Sequence, residues 1–423
     1  MANCYFPRLR MLRGDDEGQA LVLTALGVMM LLMMAAIGLD VGYLHYEKQQ
    51  MQKAADAAAI AAATTLAYSG DYTDAALHDS AANGFINGTN NVTVTVNNPP
   101  RTPTDPFYLN SSYVEVIVTK LQPTFFMKVD NTGLVNVRSR SVANVNGNAS
   151  GCVYALAPTG SGTLLVDGNV SLSSTCGIYV ESNDSFALIK NGNSGTIAVS
   201  GPPNIGIGIV GDSPGFKGAP ITPPPVVGIP HFNDPLGTVP QPTLSDCSGG
   251  GTRNGNTFSQ GVYLGGIHIS GGGSNNTYTF NPGVYCLVGG GLTVTGNAQV
   301  VGAGVTFFMT YDATHAYNGV NLGGTTVTNI SAPTSGAWKG ILFFQDRSVP
   351  INTSPSSFDG SNGATFTGAL YFPTTTVQFK GTPGTGSYAP IIGYEIEFKG
   401  NATMKNAALP NNQSPIPGAT LVE

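Results

Sequence analysis

The chain has 423 residues, a formal net charge of −6 and only 10% charged residues, against about 25% in an ordinary soluble domain. Its 41% hydrophobic content is too high for a disordered chain, and its 56 glycines and 28 prolines exceed the usual shares. The weak acidic balance, without a cluster of Lys and Arg, excludes nucleic acid as a partner, because phosphates require concentrated positive charge.

The first element is an uncharged run of 20 residues, Ala20 to Leu39. As a helix it spans about 30 Å, the thickness of a hydrocarbon core. Its length favours a membrane anchor over a cleaved signal peptide, whose apolar region is shorter and ends in a small-x-small site that Ala36-Ile37-Gly38 matches poorly. Arg8, Arg10 and Arg13 precede the run and Lys48 and Lys53 follow it, a distribution that favours a cytoplasmic N-terminus. The helical pattern continues without proline through an Ala-rich stretch to Gly70, so one helix leaves the membrane and stands outside it. There Ala54, Ala58 and Ala62 form one i, i+4 row and Ala55, Ala59 and Ala63 another. Rows of small residues permit close helix packing, against copies of the chain or a partner; the same rows equally suit packing on the protein's own sheet. Asp40 falls at the outer end of the span and Asp56 among the alanines. Sixteen residues apart, they point about 160° from each other around the helix and form no catalytic dyad.

From Asp74 to Asn146 a short helix precedes the alternating runs Val92/Val94/Val96, Val114/Val116/Val118 and Val135/Val137. Period-two alternation predicts half-buried strands, so a long helix laid on a small antiparallel sheet is expected, the arrangement of pilin-type proteins. QPTFFMKV, between the second and third runs, reads as a short amphipathic turn or helix.

After Gly147 short apolar stretches alternate with Gly, Asn, Ser and Thr. LLVDGNVSL (Leu164 to Leu172), LTVTGNAQV (Leu292 to Val300) and IEFKGNATM (Ile396 to Met404) share one shape: strand, Gly-Asn turn, strand. Such recurrence predicts a β-solenoid, with a right-handed parallel β-helix favoured and a β-sandwich as the alternative. The Pro-rich segment from Gly218 to Thr243 reads as an extended strap that divides this region into an early and a late half.

The expected fold is therefore mainly β with an N-terminal transmembrane helix. Its segments are a cytoplasmic tail (1–18), the transmembrane and Ala-rich helix (19–67), a small α+β pilin-like domain (68–146) and the solenoid (147–423) with its strap (218–243). Cys152, Cys176, Cys247 and Cys286 all follow the span, as expected where disulfides form. Four cysteines allow three pairings; the one that closes short loops joins Cys152 to Cys176 and Cys247 to Cys286, and four buried free thiols are the competing reading.

The stretch EGQALVLTALGVMMLLMMAAIGLDVGYLHYEKQQMQKAADAAAIAAA, Glu17 to Ala63, resembles the N-terminal region of TadE/TadG-like proteins of bacterial tight-adherence (Flp) pilus assembly systems. The resemblance rests on Gly18, Gln19 and Ala20, on Asp40-Val41-Gly42, and on the Gln-x-Ala-Ala-Asp-Ala-Ala-Ala run from Gln52 to Ala59, which includes Asp56. PGVYCLVGGGLTVTGNAQVVGAGVTFF and KGILFFQDR resemble the Gly-rich extension of TadG-like members. The resemblance implies an inner-membrane, single-pass protein with its bulk periplasmic or surface-exposed, supporting assembly or anchoring of an adhesive pilus beside other pilus-assembly proteins. Two departures are visible. The fifth residue after Gly14 is Gln19 and after Gly18 is Leu23, where a pilin precursor has Glu, and no Asp-x-Ser-x-Ser metal pentad is present.

No chemistry-bearing constellation stands out. The aspartates after Gly147 are scattered, and the five histidines form no ligand pattern. Asp346 and Arg347 adjoin, but as consecutive strand residues they are expected on opposite faces. The sequence therefore predicts no catalytic, cofactor or metal site. The leading expectation is a non-enzymatic membrane-anchored pilus-assembly component. A surface adhesin touching glycan through Tyr263, Tyr285, Tyr371 and Tyr388 is the second reading, against which the residues themselves favour burial of these aromatics in the core, and a polysaccharide lyase is the third.

Overall fold

The computed structural model describes residues 16–67, 71–126, 133–148, 151–200, 206–213, 221–229, 231–247, 249–272, 276–323, 327–360, 365–381, 387–388, 390–400, 403–406 and 414–423. Cys4 and most of the N-terminal tail, the Gly70 stop, and strap residues 218–220 and 230 fall outside them. The chain divides into two compact units, one holding residues up to 63, 71–143 and 421–423, the other holding 64–70 and 144–420.

The first unit contains α1 (Asp16–Ala67), α2 (Tyr72–Ala82), β1 (Val92–Asn97), β2 (Tyr113–Pro123) and most of β3 (Leu134–Asn148). Alanine and unbranched residues without proline keep α1 continuous for 52 residues. The Asp71 side chain caps α2 by accepting the N–H groups of Thr73 and Asp74. β1 and β2 pair antiparallel with Val94 opposite Val118 and Val96 opposite Val116. The sheet is completed in the order β1, β2, β3 and the C-terminal strand Pro417–Leu421. The solenoid was expected to run to Glu423; Leu421–Glu423 group with the small sheet's unit. The C-terminal strand covers the edge that β3 would otherwise leave open, and beside it the Val142 N–H donates to the Glu423 carbonyl at 2.9 Å.

The second unit is a parallel β-solenoid of about eight turns. One face carries ten strands in the spatial order Val226–Val227, Ile207–Ile209, Gly177–Val180, Gly151–Ala155, Ile391–Gly393, Ala369–Phe372, Ile341–Gln345, Val305–Thr310, Gly283–Val288 and Gly261–Leu264. A second face has eight strands, and six-stranded and four-stranded sheets supply a third run. Parallel pairing of rungs that are neighbours in sequence rules out the sandwich alternative, which needs antiparallel sheets.

The rung order is permuted relative to the sequence. The last rung of the late half stacks on the first rung of the early half, with Ile391 opposite Val153 and Ile396 opposite Leu164. The late half therefore lies first along the stack and the early half second. The strap carries the chain from Val227 at one end of the ten-stranded face to Gly261 at the other, about 43 Å at nine strand spacings. It crosses one solenoid and does not separate two.

The Gly-Asn repeats mark one corner of this solenoid. Leu164–Gly168 and Leu292–Gly296 each end in a left-handed glycine, Gly168 at φ +96° and Gly296 at φ +75°. Gly168 stacks on Gly400 and Gly296 on Gly271. A Cβ on Gly296 would stand 2.3 Å from the Gly271 carbonyl oxygen, so the corner requires both the dihedral and the space that glycine alone provides. Inside, aromatic residues ladder from rung to rung: Phe358, Phe379 and Phe398 stack at centroid distances of 5.3 and 5.2 Å.

Candidate functional site

Of the motif residues on the N-terminal helix, Asp40 and Gln52 contact the small sheet and its following bend. Asp40 is buried, and its carboxylate accepts the backbone N–H of Phe125 through Oδ1 and that of Phe126 through Oδ2, each at 2.8 Å. Both amides belong to the bend that follows β2. Charge-assisted bonds offset the cost of burying the carboxylate. One helical turn on, the Tyr43 hydroxyl accepts from Gln122 Nε2 at 3.1 Å, and a turn further Glu47 pairs with Lys120. Gln122 and Lys120 follow each other at two-residue spacing on β2, so helix and strand run side by side in opposite directions.

Gln52 and Asp56 form an i, i+4 hydrogen bond at 2.8 Å, while Gln52 Nε2 also donates to the Arg140 carbonyl of β3 at 2.9 Å. Asp56 is thus not a lone charge among alanines. Gly42 is exposed, and a Cβ built on it would meet nothing within 4 Å. Gly18, Gln19 and Ala20 lie in α1, with side chains outside the described set.

Ala54, Ala55, Ala58, Ala59, Ala62 and Ala63 are completely buried within the single chain. The sequence left this face open to partner helices as well as to the protein's own sheet; the structure leaves none of it free for a partner. The Ser139 hydroxyl donates to the Lys48 carbonyl, which shows how closely α1 approaches β3.

Beneath the helix lies an ion network that sequence reading missed. Glu115 of β2 is fully buried and accepts from Asn97, the Arg101 N–H, Thr102 and Arg140 Nε. Arg140 also pairs with Asp105 and with Glu423. One guanidinium thus joins β2, β3, the β1–β2 loop and the C-terminal residue.

On the solenoid, the side chains with chemical potential are engaged by the strap. The Tyr371 hydroxyl donates to Asp234 Oδ2 at 2.6 Å and accepts from Arg347 Nε at 2.7 Å. Arg347 Nη2 donates to the carbonyls of Leu236 and Val239. Asp346 accepts from Gln241 Nε2, Thr310 and Ser348. Asp346 and Arg347 were expected on opposite faces; they follow the strand Ile341–Gln345 in a turn, and both reach Gln241. Burial pushes the Tyr371 hydroxyl pKa far above its usual value, and the neighbouring Asp234 charge reinforces this, so it stays a donor. Burial raises the Asp346 pKa, but hydrogen bonds from Thr310, Ser348 and Gln241 outweigh it and hold the carboxyl below its ordinary value.

Among the described tyrosines the core reading holds for two of the four. Tyr285 and Tyr371 are fully buried, and the Tyr263 hydroxyl donates to the carbonyls of Thr252 and Ser259. Stacked rungs turn the Tyr285 position inward, where its hydroxyl finds the Phe258 and Asn281 carbonyls. The Tyr388 side chain lies outside the described residues.

Cys152 is joined to Cys176 across adjacent rungs, with Cα atoms 5.4 Å apart. Cys247, just beyond the strap, is joined to Cys286, with Cα atoms 6.0 Å apart. Among the described residues no group of three or more His, Cys, Asp or Glu side chains is placed to hold a metal ion.

The site is thus a packing surface on a membrane-type helix, and α1 is the one helix among the described residues long and apolar enough to cross a membrane. Residues 18–65 match the family model described as "Putative Flp pilus-assembly TadE/G-like", and that stretch is a TadE/G-like pilus-assembly domain. Neither the curated proteins nor the solved structures compared with the chain include a match.

Proposed function

We propose that the chain is a membrane-anchored, non-enzymatic component of a Flp (tight-adherence) pilus assembly or anchoring system, held in the inner membrane with its N-terminus cytoplasmic and its solenoid in the periplasm or at the surface. The observation that carries this reading is the TadE/G-like match at residues 18–65 together with the bare apolar stretch from Leu21 to Leu39. Two disulfides in the solenoid fit an oxidising compartment on the far side of the membrane. Because the alanine face of α1 is used internally, contacts with other pilus-assembly proteins or with a second copy fall to the exposed span and to the outer surface of the solenoid. The solenoid offers rows of Thr, Asn and Gln there, such as Thr277 with Gln299 and Thr365 with Asn329.

The test is in-cell cross-linking and topology mapping of the full chain. A photo-cross-linker at Met30 or Met33 is expected to capture pilus-assembly proteins or a second copy, and a reporter fused after Glu423 to be active only outside the cytoplasm. A cytoplasmic reporter signal, or capture of neither kind of partner, contradicts the reading. Tyr285 and Tyr371 are not available to the adhesin alternative, and no observation favours it over assembly.

A further inference from the structure

The boundary between the bare helix and the folded unit is sharp. From Leu21 to Leu39 every large hydrophobic side chain on α1 is more than half exposed, and from Leu21 onward Asp40 is the first buried residue. At that same turn the Asp40 carboxylate holds the N–H groups of Phe125 and Phe126. The two phenyl rings are nevertheless 65% and 53% exposed. The Tyr43 ring lies 5.3 Å from that of Phe125. Leu121 and Leu134 are exposed at the same end of the sheet, where the Thr124 N–H donates to the Gly133 carbonyl and ties the end of β2 to the start of β3.

Two adjacent exposed phenylalanines, with the Tyr43 ring against one of them, are an apolar patch, not a scatter of single residues. Their place fixes what meets them. The patch is held, through Asp40, to the turn of α1 where the bilayer-length apolar stretch ends. Backbone polarity fits the same location, since the carboxylate pairs both amides and so lowers the cost of bringing them towards the acyl boundary. We propose that Phe125 and Phe126 seat in the interfacial layer of the bilayer that α1 crosses, so that the small sheet is held to the membrane surface at two points and cannot swivel freely about the helix. Asp40 is the positioning residue of this second contact. The inference rests on the membrane-anchoring part of the function proposed above.

The experiment uses the full chain reconstituted into phosphatidylethanolamine/phosphatidylglycerol vesicles, with and without lipids brominated at shallow acyl carbons. Phe125→Trp and Phe126→Trp are compared with the parent, whose single tryptophan is Trp338. Tyr108→Trp is the control, exposed in the loop before β2 and about 33 Å along that strand from the patch. Bromine is expected to quench the tryptophan at 125 and at 126, with little loss at 108 or in the parent, and adding Asp40→Ala is expected to weaken quenching at both positions. A chain that floats with the vesicles but shows no bromine quenching at 125 or 126 overturns the interfacial contact alone, including the case in which the patch docks a protein instead. A chain that does not float with the vesicles overturns both this inference and the anchoring reading.

Discussion

Asp40 on α1 and Phe125 after β2, 85 residues apart in sequence, are joined by a 2.8 Å hydrogen bond from the Phe125 N–H to the Asp40 carboxylate. With the matching bond from Phe126, the carboxylate closes the end of the sheet onto the helix at the point where the helix becomes bare. The acidic residue of the Asp-Val-Gly motif therefore has a structural task.

Replacing Asp40 by alanine leaves two amides without their acceptor. At about 1.5–3 kcal/mol for a hydrogen bond to a charged group, the folded first unit is expected to lose about 3 kcal/mol. Amide hydrogen exchange at Phe125 and Phe126 should accelerate in Asp40→Ala. Asp40→Asn keeps one acceptor oxygen and should fall between; equal exchange in all three proteins contradicts the clamp.

The buried alanine face makes a second prediction, about size. Ala58→Phe forces a large ring into a site with no exposure, and overpacking of this kind costs about 1–3 kcal/mol. Limited proteolysis within residues 71–143 should become faster in Ala58→Phe. Unchanged proteolysis together with lost cross-linked complexes would return the alanines to a partner-facing role.

Acid should release the strap. Asp346 holds Gln241, and its carboxyl titrates below the ordinary value in the folded chain. A depressed folded-state pKa gives stability that is complete above about pH 4, the range of an unfolded aspartate, and is lost as the pH falls through the folded value. Trp338 reports on this directly, since its indole N–H donates to the Pro240 carbonyl of the strap. Its emission is expected to shift to the red below pH 4, and Asp346→Asn should already show part of that shift at pH 7. Emission that stays constant down to pH 2 contradicts the assignment.

Just beyond the strap the chain is pinned covalently. Cys247–Cys286 closes a loop with a sequence separation of 39, for which about 2–4 kcal/mol of stabilisation is expected. The double variant Cys247→Ala/Cys286→Ala should lower the thermal midpoint of the solenoid under oxidising conditions, and a reductant should then lower it further only through Cys152–Cys176.

The parts of this fold that are local in sequence were legible there. The uncharged run, the unbroken helix and the Gly-Asn corners each follow from residues within a few positions, because helix continuity and left-handed turns are local properties. The permutation was not legible: Ile391 stacks on Val153 through backbone bonds, and nothing in either side chain specifies that rung as neighbour. The role of Asp40 was hidden for a related reason, since its partners are backbone amides that any sequence would supply. The core reading of the tyrosines holds at Tyr285 and Tyr371, both fully buried, although alternation alone did not say which face of a rung turns inward.

The most direct measurement is a count of surface pili by electron microscopy in the bacterium that carries the chain, in a strain lacking it, and in that strain complemented with the full chain or with a version whose Leu21–Leu39 stretch is made polar. The account predicts that pili are lost on deletion, restored by the full chain and not restored by the polar version. Undiminished pili in the deletion strain would contradict it.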